Sequence, residues 1–254
     1  LRVTFLGTGT SQGVPVIACE CEVCRSEDKH DKRLRVSVLL EINKQVILID
    51  TGPDFRYQML RADVKKLDAI LYTHEHKDHV AGLDDVRAFN YKQQSEVDVY
   101  AHQRVQDALK KEFHYIFSGS NYPGIPRLRL NNIVDGESFQ AAGIDIIPIS
   151  VMHYLLPVFG FRIGDFTYIT DAKTISSEEK KKIVGSKIVV INALQIDKHL
   201  SHFTLDEALE FAAEIGANKT YLTHISHKLG THAEISKKLP KDVYLAHDGL
   251  KLEM

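Results

Sequence analysis

The chain has no tryptophan, and its three cysteines stand within one stretch, Cys19-Glu20-Cys21-Glu22-Val23-Cys24, with none elsewhere. That excludes a disulfide framework, since a pair so close in sequence closes a loop too short to stabilise much and a third thiol is left over. Metal ligation is the better reading. An excess of basic residues is also missing. Lys plus Arg is 32 against 34 Asp plus Glu, a formal charge of −2, which argues against a broad nucleic-acid or anionic-membrane footprint. No apolar run reaches the roughly eighteen residues needed to span a bilayer. The opening LRVTFLGTGTSQGV lacks an apolar signal core and a small-residue cleavage site, so it reads as strand and loop. A cytoplasmic protein with reduced cysteines is therefore expected. Neither a Gly/Ser- or Pro-rich linker nor a short-period repeat divides the sequence, and one domain over residues 1–254 is expected.

Present instead are short β-rich runs: RVTFLGTG, VSVLLEI, QVILIDTG and AILYTH in the first half, then VDVYA, IDIIPIS, VFGFRI, FTYIT, KIVVINAL, TYLTHI and VYLA. Asn43-Lys44 between two of them predicts a hairpin turn. Helices are expected after Pro53, near 103–113 and 176–183, over LDEALEFAAEIG with Thr204 and Glu207 as its capping box and Gly216 as its stop, and near 231–238. Strands mixed with helices, without strict alternation, predict sheets covered by helices on their outer faces.

Directly after AILYT comes His74-Glu75-His76-Lys77-Asp78-His79. Three imidazoles and a carboxylate suit Zn, Mn or Fe. Residues two apart do not share a helix face, so these groups are expected to converge from a loop at the strand's end. His153, Asp171 and His224 each follow another β-like run. Singly, each reads as a turn or cap residue; together they gather where strand ends meet loops.

With these residues, the Ile49-Asp50-Thr51-Gly52 turn and Gly82-Leu83, the sequence from Val3 to Asp248-Gly249-Leu250 resembles the metallo-β-lactamase superfamily. The resemblance implies an α/β fold, the four-layer αββα sandwich, with a dinuclear metal site. By position, metal one would take His74, His76 and His153. Metal two would take Asp78, His79 and His224, with Asp171 bridging both and Asp50 behind them orienting the ligand loop. Two such cations, about 3.5–4 Å apart, can activate a bridging hydroxide and neutralise charge on a phosphoryl oxygen.

Three thiolates need a fourth ligand to close a tetrahedral site. His227, three residues past His224, is the candidate, so Cys19, Cys21, Cys24 and His227 are expected to hold a structural zinc that ties a loop at about 9–35 to the rim of the site. With the Gly7-Thr8-Gly9-Thr10-Ser11-Gln12-Gly13-Val14-Pro15 run and Leu222-Thr223-His224-Ile225-Ser226-His227, this narrows the resemblance to phosphoribosyl 1,2-cyclic phosphate phosphodiesterases. That family implies manganese or zinc, with iron as a further option, at the catalytic pair, a small, cyclic phosphodiester substrate and a homodimer. Asp78 and His202 would be the catalytic side chains, His202 as leaving-group acid or substrate binder. The competing readings are a tRNA 3′-end-processing endonuclease, disfavoured by the charge and by the lack of a basic, Gly-rich arm, and a non-catalytic metal carrier of the same fold. His30, His102, His114, His199, His232 and His247 have no persuasive ligand context. Arg87, Tyr91 and Lys92 read as packing and surface, with phosphate contact as the alternative, and Ser118 to Arg129 reads as a loop at the substrate mouth.

Overall fold

The computed structural model describes residues 1–119 and 122–254. Its strands, in chain order, are β1 Arg2–Gly7, β2 Ser37–Ile42, β3 Gln45–Ile49, β4 Ala69–Leu71, β5 Val97–Ala101, β6 Leu128–Asn132, β7 Phe139–Ala141, β8 Ile144–His153, β9 Leu156–Ile163, β10 Phe166–Tyr168, β11 Ile188–Asn192, β12 Lys219–Thr223, β13 Val243–Leu245 and β14 Lys251–Glu253. They form two sheets, ordered β14-β1-β2-β3-β4-β5-β6 and β13-β12-β11-β10-β9-β8-β7. Each sheet is antiparallel on one side and parallel on the other, the change falling at β3–β4 and at β10–β11.

Side-chain alternation sorts each strand between two layers. Ile47 and Ile49 point between the sheets with Val3, Phe5, Phe161 and Tyr168, whereas Leu48 joins the outer layer with Phe55, Met59 and Phe89. Ile188 and Val190 likewise face the inter-sheet core, while Val189 and Ile191 meet Leu205, Ala208 and Phe211 of the helix Leu205–Ile215. Both outer faces are thus covered, which is why these strands read as continuous apolar runs. Each fully buried aliphatic or aromatic side chain contributes about 1.5–3 kcal/mol relative to exposure. The result is the αββα sandwich expected from the sequence.

Local chemistry is as read at most boundaries. Asn43 and Lys44 both take positive φ, 49° and 69°, the twist a two-residue hairpin needs. Thr204 and Glu207 form the capping box, and Gly216 ends that helix at φ 65°. Four elements differ. Leu128 and Arg129, expected in the mouth loop, open β6, whose parallel pairing to β5 overrides the turn-rich composition before it; Ser120 and Asn121 of that segment lie outside the described residues. The short strand β7 pairs at the edge beside β8. His153 is the last residue of β8, and Asp78 and His79 sit in a short helix, Lys77–Val80, not in an open loop. Gly52 and Gly82 let that helix approach the β3 turn: a Cβ on Gly52 would overlap the Asp78 carbonyl, and one on Gly82 the Gly52 carbonyl.

Candidate metal centre

Strand ends deliver the site. Asp50 follows β3, His74 follows β4, His153 ends β8, Asp171 follows β10 and His224 follows β12. Asp50, Asp171 and His224 all take left-handed backbone, φ 63°, 57° and 55°. That conformation is costly for a residue with a Cβ, and here it turns each chain sharply as it leaves the sheet. Asp50 is wholly buried and accepts from Thr73 N at 2.9 Å, Thr73 Oγ1 at 2.8 Å and His79 Nδ1 at 2.7 Å. His74 Nδ1 lies 3.0 Å from the same Thr73 hydroxyl. With Thr73 donating to Asp50, that hydroxyl accepts from His74, so one carboxylate sets the tautomers of two imidazoles and leaves their Nε2 lone pairs facing the cleft. His153 is set in the same way, Nδ1 donating to the Ser201 carbonyl at 2.8 Å. Replacing such partners costs about 10–100-fold in metal affinity or activity. Asp50→Ala is expected to fall in that range, measured as the metal concentration that half-restores activity to stripped protein.

His79 Nε2 lies 3.2 Å from Asp78 Oδ2 and 3.3 Å from Asp171 Oδ2, and His224 Nε2 lies 3.2 Å from Asp171 Oδ1 and 3.8 Å from Asp78 Oδ2. Burial acts against charge on all four of these groups, yet among them the opposite charges prevail. His79 and His224 hold Asp171 well below the usual carboxylate range, and His79 does the same for Asp78. Burial likewise opposes protonation of His224, but Asp171 raises it to about 9. Burial pushes His74 and His76 down. A pocket of ionised carboxylates whose neighbouring imidazole atoms, His79 Nε2 and His224 Nε2, are buried without a hydrogen-bond partner among the described residues fits cations. The ligand-type atoms of His74, His79 and Asp171 lie within 4.8 Å of one another, as do those of Asp78, His79 and His224, and those of His153, Asp171 and His202. His76 Nδ1 is 3.0 Å from His74 Nε2, and the His76 ring centre is 5.2 Å from that of His153. All seven sequence candidates therefore converge.

The cysteines form a second cluster. The short helix Glu22–Arg25 starts at Cys21, which puts Cys21 and Cys24 on one face. Sγ of Cys19, Cys21 and Cys24 lies 3.2, 3.4 and 3.6 Å from His227 Nδ1. Tetrahedral zinc, with Zn–S about 2.3 Å and Zn–N about 2.0–2.1 Å, separates S and N by about 3.5 Å, so the four atoms fit that ion. A backbone N–H at Cys24 outweighs burial and draws Cys21 down to about 6, while burial pushes Cys24 up to about 11.

The residues set aside fall elsewhere. His232 packs on His30 and His247, ring centres 4.8 and 6.0 Å away, and its Nδ1 accepts from Arg33 Nη2 at 3.1 Å. His102 accepts from Arg104 N at the start of its helix. His199 lies behind His202 at 5.1 Å. Arg87 pairs with Asp84, and Tyr91 donates to the Pro123 carbonyl. The positioning roles of Thr73 and the Ser201 carbonyl are not legible in the sequence: Thr73 heads the His74–His79 motif as a generic hydroxyl, and the other is a backbone atom distant in sequence. A cleft of about 640 Å³ at the opposite end of the strands, lined by Leu1, Ile42, Ile163 and Met254, is remote from both clusters.

An αββα sandwich with histidines and aspartates converging at one edge of its strands defines a metal-dependent hydrolase. The chain belongs to the beta-lactamase superfamily, whose domain model matches residues 45–225. The crystal structure of a diphosphatase from the PhnP family superposes with a TM-score of 0.93 at 41% identity, covering 100% of this chain and 97% of that one. The chain is also 42% identical over 254 residues to an octanoyltransferase of Porphyromonas gingivalis, covering 99% of this chain and 51% of the relative. A ribonuclease Z of a Nostoc species is 26% identical over 173 residues, 65% of this chain and 47% of that protein. The chain thus spans about half the length of these curated relatives. Among the described residues, no helix is long and apolar enough to cross a membrane.

Proposed function

We propose that the chain hydrolyses a small phosphodiester, with a cyclic ester such as phosphoribosyl 1,2-cyclic phosphate as the leading candidate. The observation that carries this reading is the convergence of the buried Asp171 and the largely buried Asp78 on imidazole nitrogens that are buried without a hydrogen-bond partner among the described residues. The likeness to a PhnP-family diphosphatase supports phosphorus as the reacting centre. His74, His76 and His153 would hold one divalent cation, Asp78, His79 and His224 a second, and Asp171 both. Manganese or zinc, or iron, suits the donor set, and such ions would supply the Lewis acidity that makes water nucleophilic near neutral pH and offsets charge on phosphoryl oxygens.

The chain's own part is orientation and proton handling. His202 is buried, with Nδ1 3.7 Å from Asp171 Oδ1 and its ring centre 4.5 Å from that of His153. Burial, reinforced by His224, pushes its imidazole down to about 2, so it rests neutral with one N–H to offer the departing oxygen. The negative charge of a docked diester would raise it toward the protonated form that a general acid requires. His202→Ala is expected to lower kcat for bis(4-nitrophenyl) phosphate by about 10²–10⁴-fold with metal content retained. An unchanged rate would remove it from the mechanism.

A ribonuclease Z-like endonuclease is the second reading, favoured by the similarity over 173 residues. The formal charge of −2 weighs against it, because affinity for a polynucleotide comes mainly from cations facing phosphates. Parallel assays on a precursor tRNA and on small diesters separate the two. Cleavage confined to the tRNA would replace the small-diester reading.

A further inference from the structure

The β8–β9 hairpin turns on Tyr154 and Leu155, immediately after His153. Two-residue turns favour Asn, Asp or Gly, because one or both central residues need positive φ. In the other two-residue turns Asn43, Gly143 and Gly164 meet that demand, and the remaining positive-φ positions, Lys44 at 69° and Ala142 at 51°, carry a flexible or a small side chain. Tyr154 instead holds an aromatic side chain at φ 57°. It is also 52% exposed, beside Leu155 at 74% and, across the cleft, Leu200 at 67%. Backbone strain and exposed apolar surface are both unfavourable, and Asn-Gly at the tip would relieve both. An outlier of this kind beside a reactive centre is an argument for a role in function.

These three side chains line a cleft of about 440 Å³ together with His76, His153 and Ser201. Among the described residues, no Lys, Arg, Asp or Glu lines it. His153, which lines the cleft, has its ring centre 4.5 Å from that of His202, so the cleft lies next to the imidazole assigned to the departing oxygen. A second phosphate or a bare sugar would find no cation there. An aromatic ring would find Tyr154 and three leucines, Leu155, Leu156 and Leu200, a surface that rewards stacking without requiring a particular base or substituent.

We propose that Tyr154, Leu155 and Leu200 form a leaving-group subsite selecting phosphodiesters whose departing alcohol carries an aromatic ring. The assignment rests on the diesterase reading above and, within it, favours a diester with an aryl-bearing departing alcohol over the ring-free cyclic ribose phosphate named there. The test compares methyl phenyl phosphate with methyl hexafluoroisopropyl phosphate, whose departing alcohols are of similar acidity but differ in shape, using the metal-supplemented chain of residues 1–254. Tyr154→Asn, which suits the turn, is expected to lower kcat/KM for the phenyl ester by about tenfold or more and to leave the fluoroalkyl ester within about twofold. Tyr154→Phe should retain the aryl preference. Equal losses on both esters would make Tyr154 structural and overturn the subsite. So would an unchanged preference in Tyr154→Asn accompanied by dissociation of a dimer, because the apolar shelf would then be a subunit contact. Failure of the wild-type chain to cleave either ester would remove the diesterase reading itself, and the subsite with it.

Discussion

Asp171→Asn is expected to reduce diesterase kcat/KM by about 10³-fold or more, since loss of a group that merely orients a ligand already costs about 10–100-fold, and to lower the metal content of purified protein. Asp171 offers its two oxygens to two different imidazoles, Oδ2 at 3.3 Å from His79 Nε2 and Oδ1 at 3.2 Å from His224 Nε2. It also belongs both to the group with His74 and to the group with His153 and His202. No other carboxylate joins both halves among the described residues. Asparagine keeps the size and one oxygen but removes the charge, so the change tests electrostatics without opening a cavity. The surrounding loop should survive it: Asn192 holds Ala172 through both its side-chain atoms, accepting from Ala172 N at 2.7 Å and donating to the Ala172 carbonyl at 2.9 Å. Elemental analysis beside the rate measurement decides the matter. Full metal content with a rate within about threefold of wild type would remove Asp171 from its shared position.

How far the site was legible follows from the range of each signal. β-rich apolar composition and turn chemistry are local, so β2, β3, β5 and the Asn43-Lys44 hairpin could be read from their own residues. The grouping of His74 to His79 is visible for the same reason, with the convergence of His153, Asp171 and His224 inferred from their positions after strands. What was hidden depends on tertiary context. Left-handed backbone at Asp50, Asp171 and His224 is not marked by glycine, and the enrichment of Asp and His at positive φ is too weak to single out positions. Parallel pairing with β5 organises Leu128–Asn132 despite the Gly and Pro that precede it. The bond from His153 to the Ser201 carbonyl spans 48 residues, and no spacing rule foretells a backbone acceptor at that distance.

The second large effect concerns the cysteine cluster. Several contacts of the loop at about 9–35 with the C-terminal half involve no ion: Thr10 N donates to the Ile225 carbonyl at 3.1 Å, Leu34 N to Asp248 Oδ2 at 2.9 Å, Arg33 Nη1 to the Ala246 carbonyl at 2.6 Å, and His232 N to Asp31 Oδ1 at 2.7 Å. These lie at the loop's base. Cys19, Cys21 and Cys24 gather farther along, where His227 is the group that meets all three. Structural zinc sites bind with apparent free energies of about 10–16 kcal/mol, and in such sites binding energy is folding energy. Cys21→Ser combined with Cys24→Ser is therefore expected to lose one tightly held zinc per chain. Amide exchange in the loop should accelerate by about 10³-fold or more, while exchange in β3 and β11, buried in the sandwich, should be far less affected. A drop confined to the loop would assign the zinc a local role, with diesterase activity falling only as far as His224, three residues from His227, loses its position. Zinc fully retained in the double variant would show that three reduced thiols, and not a metal site, occupy this corner of the molecule.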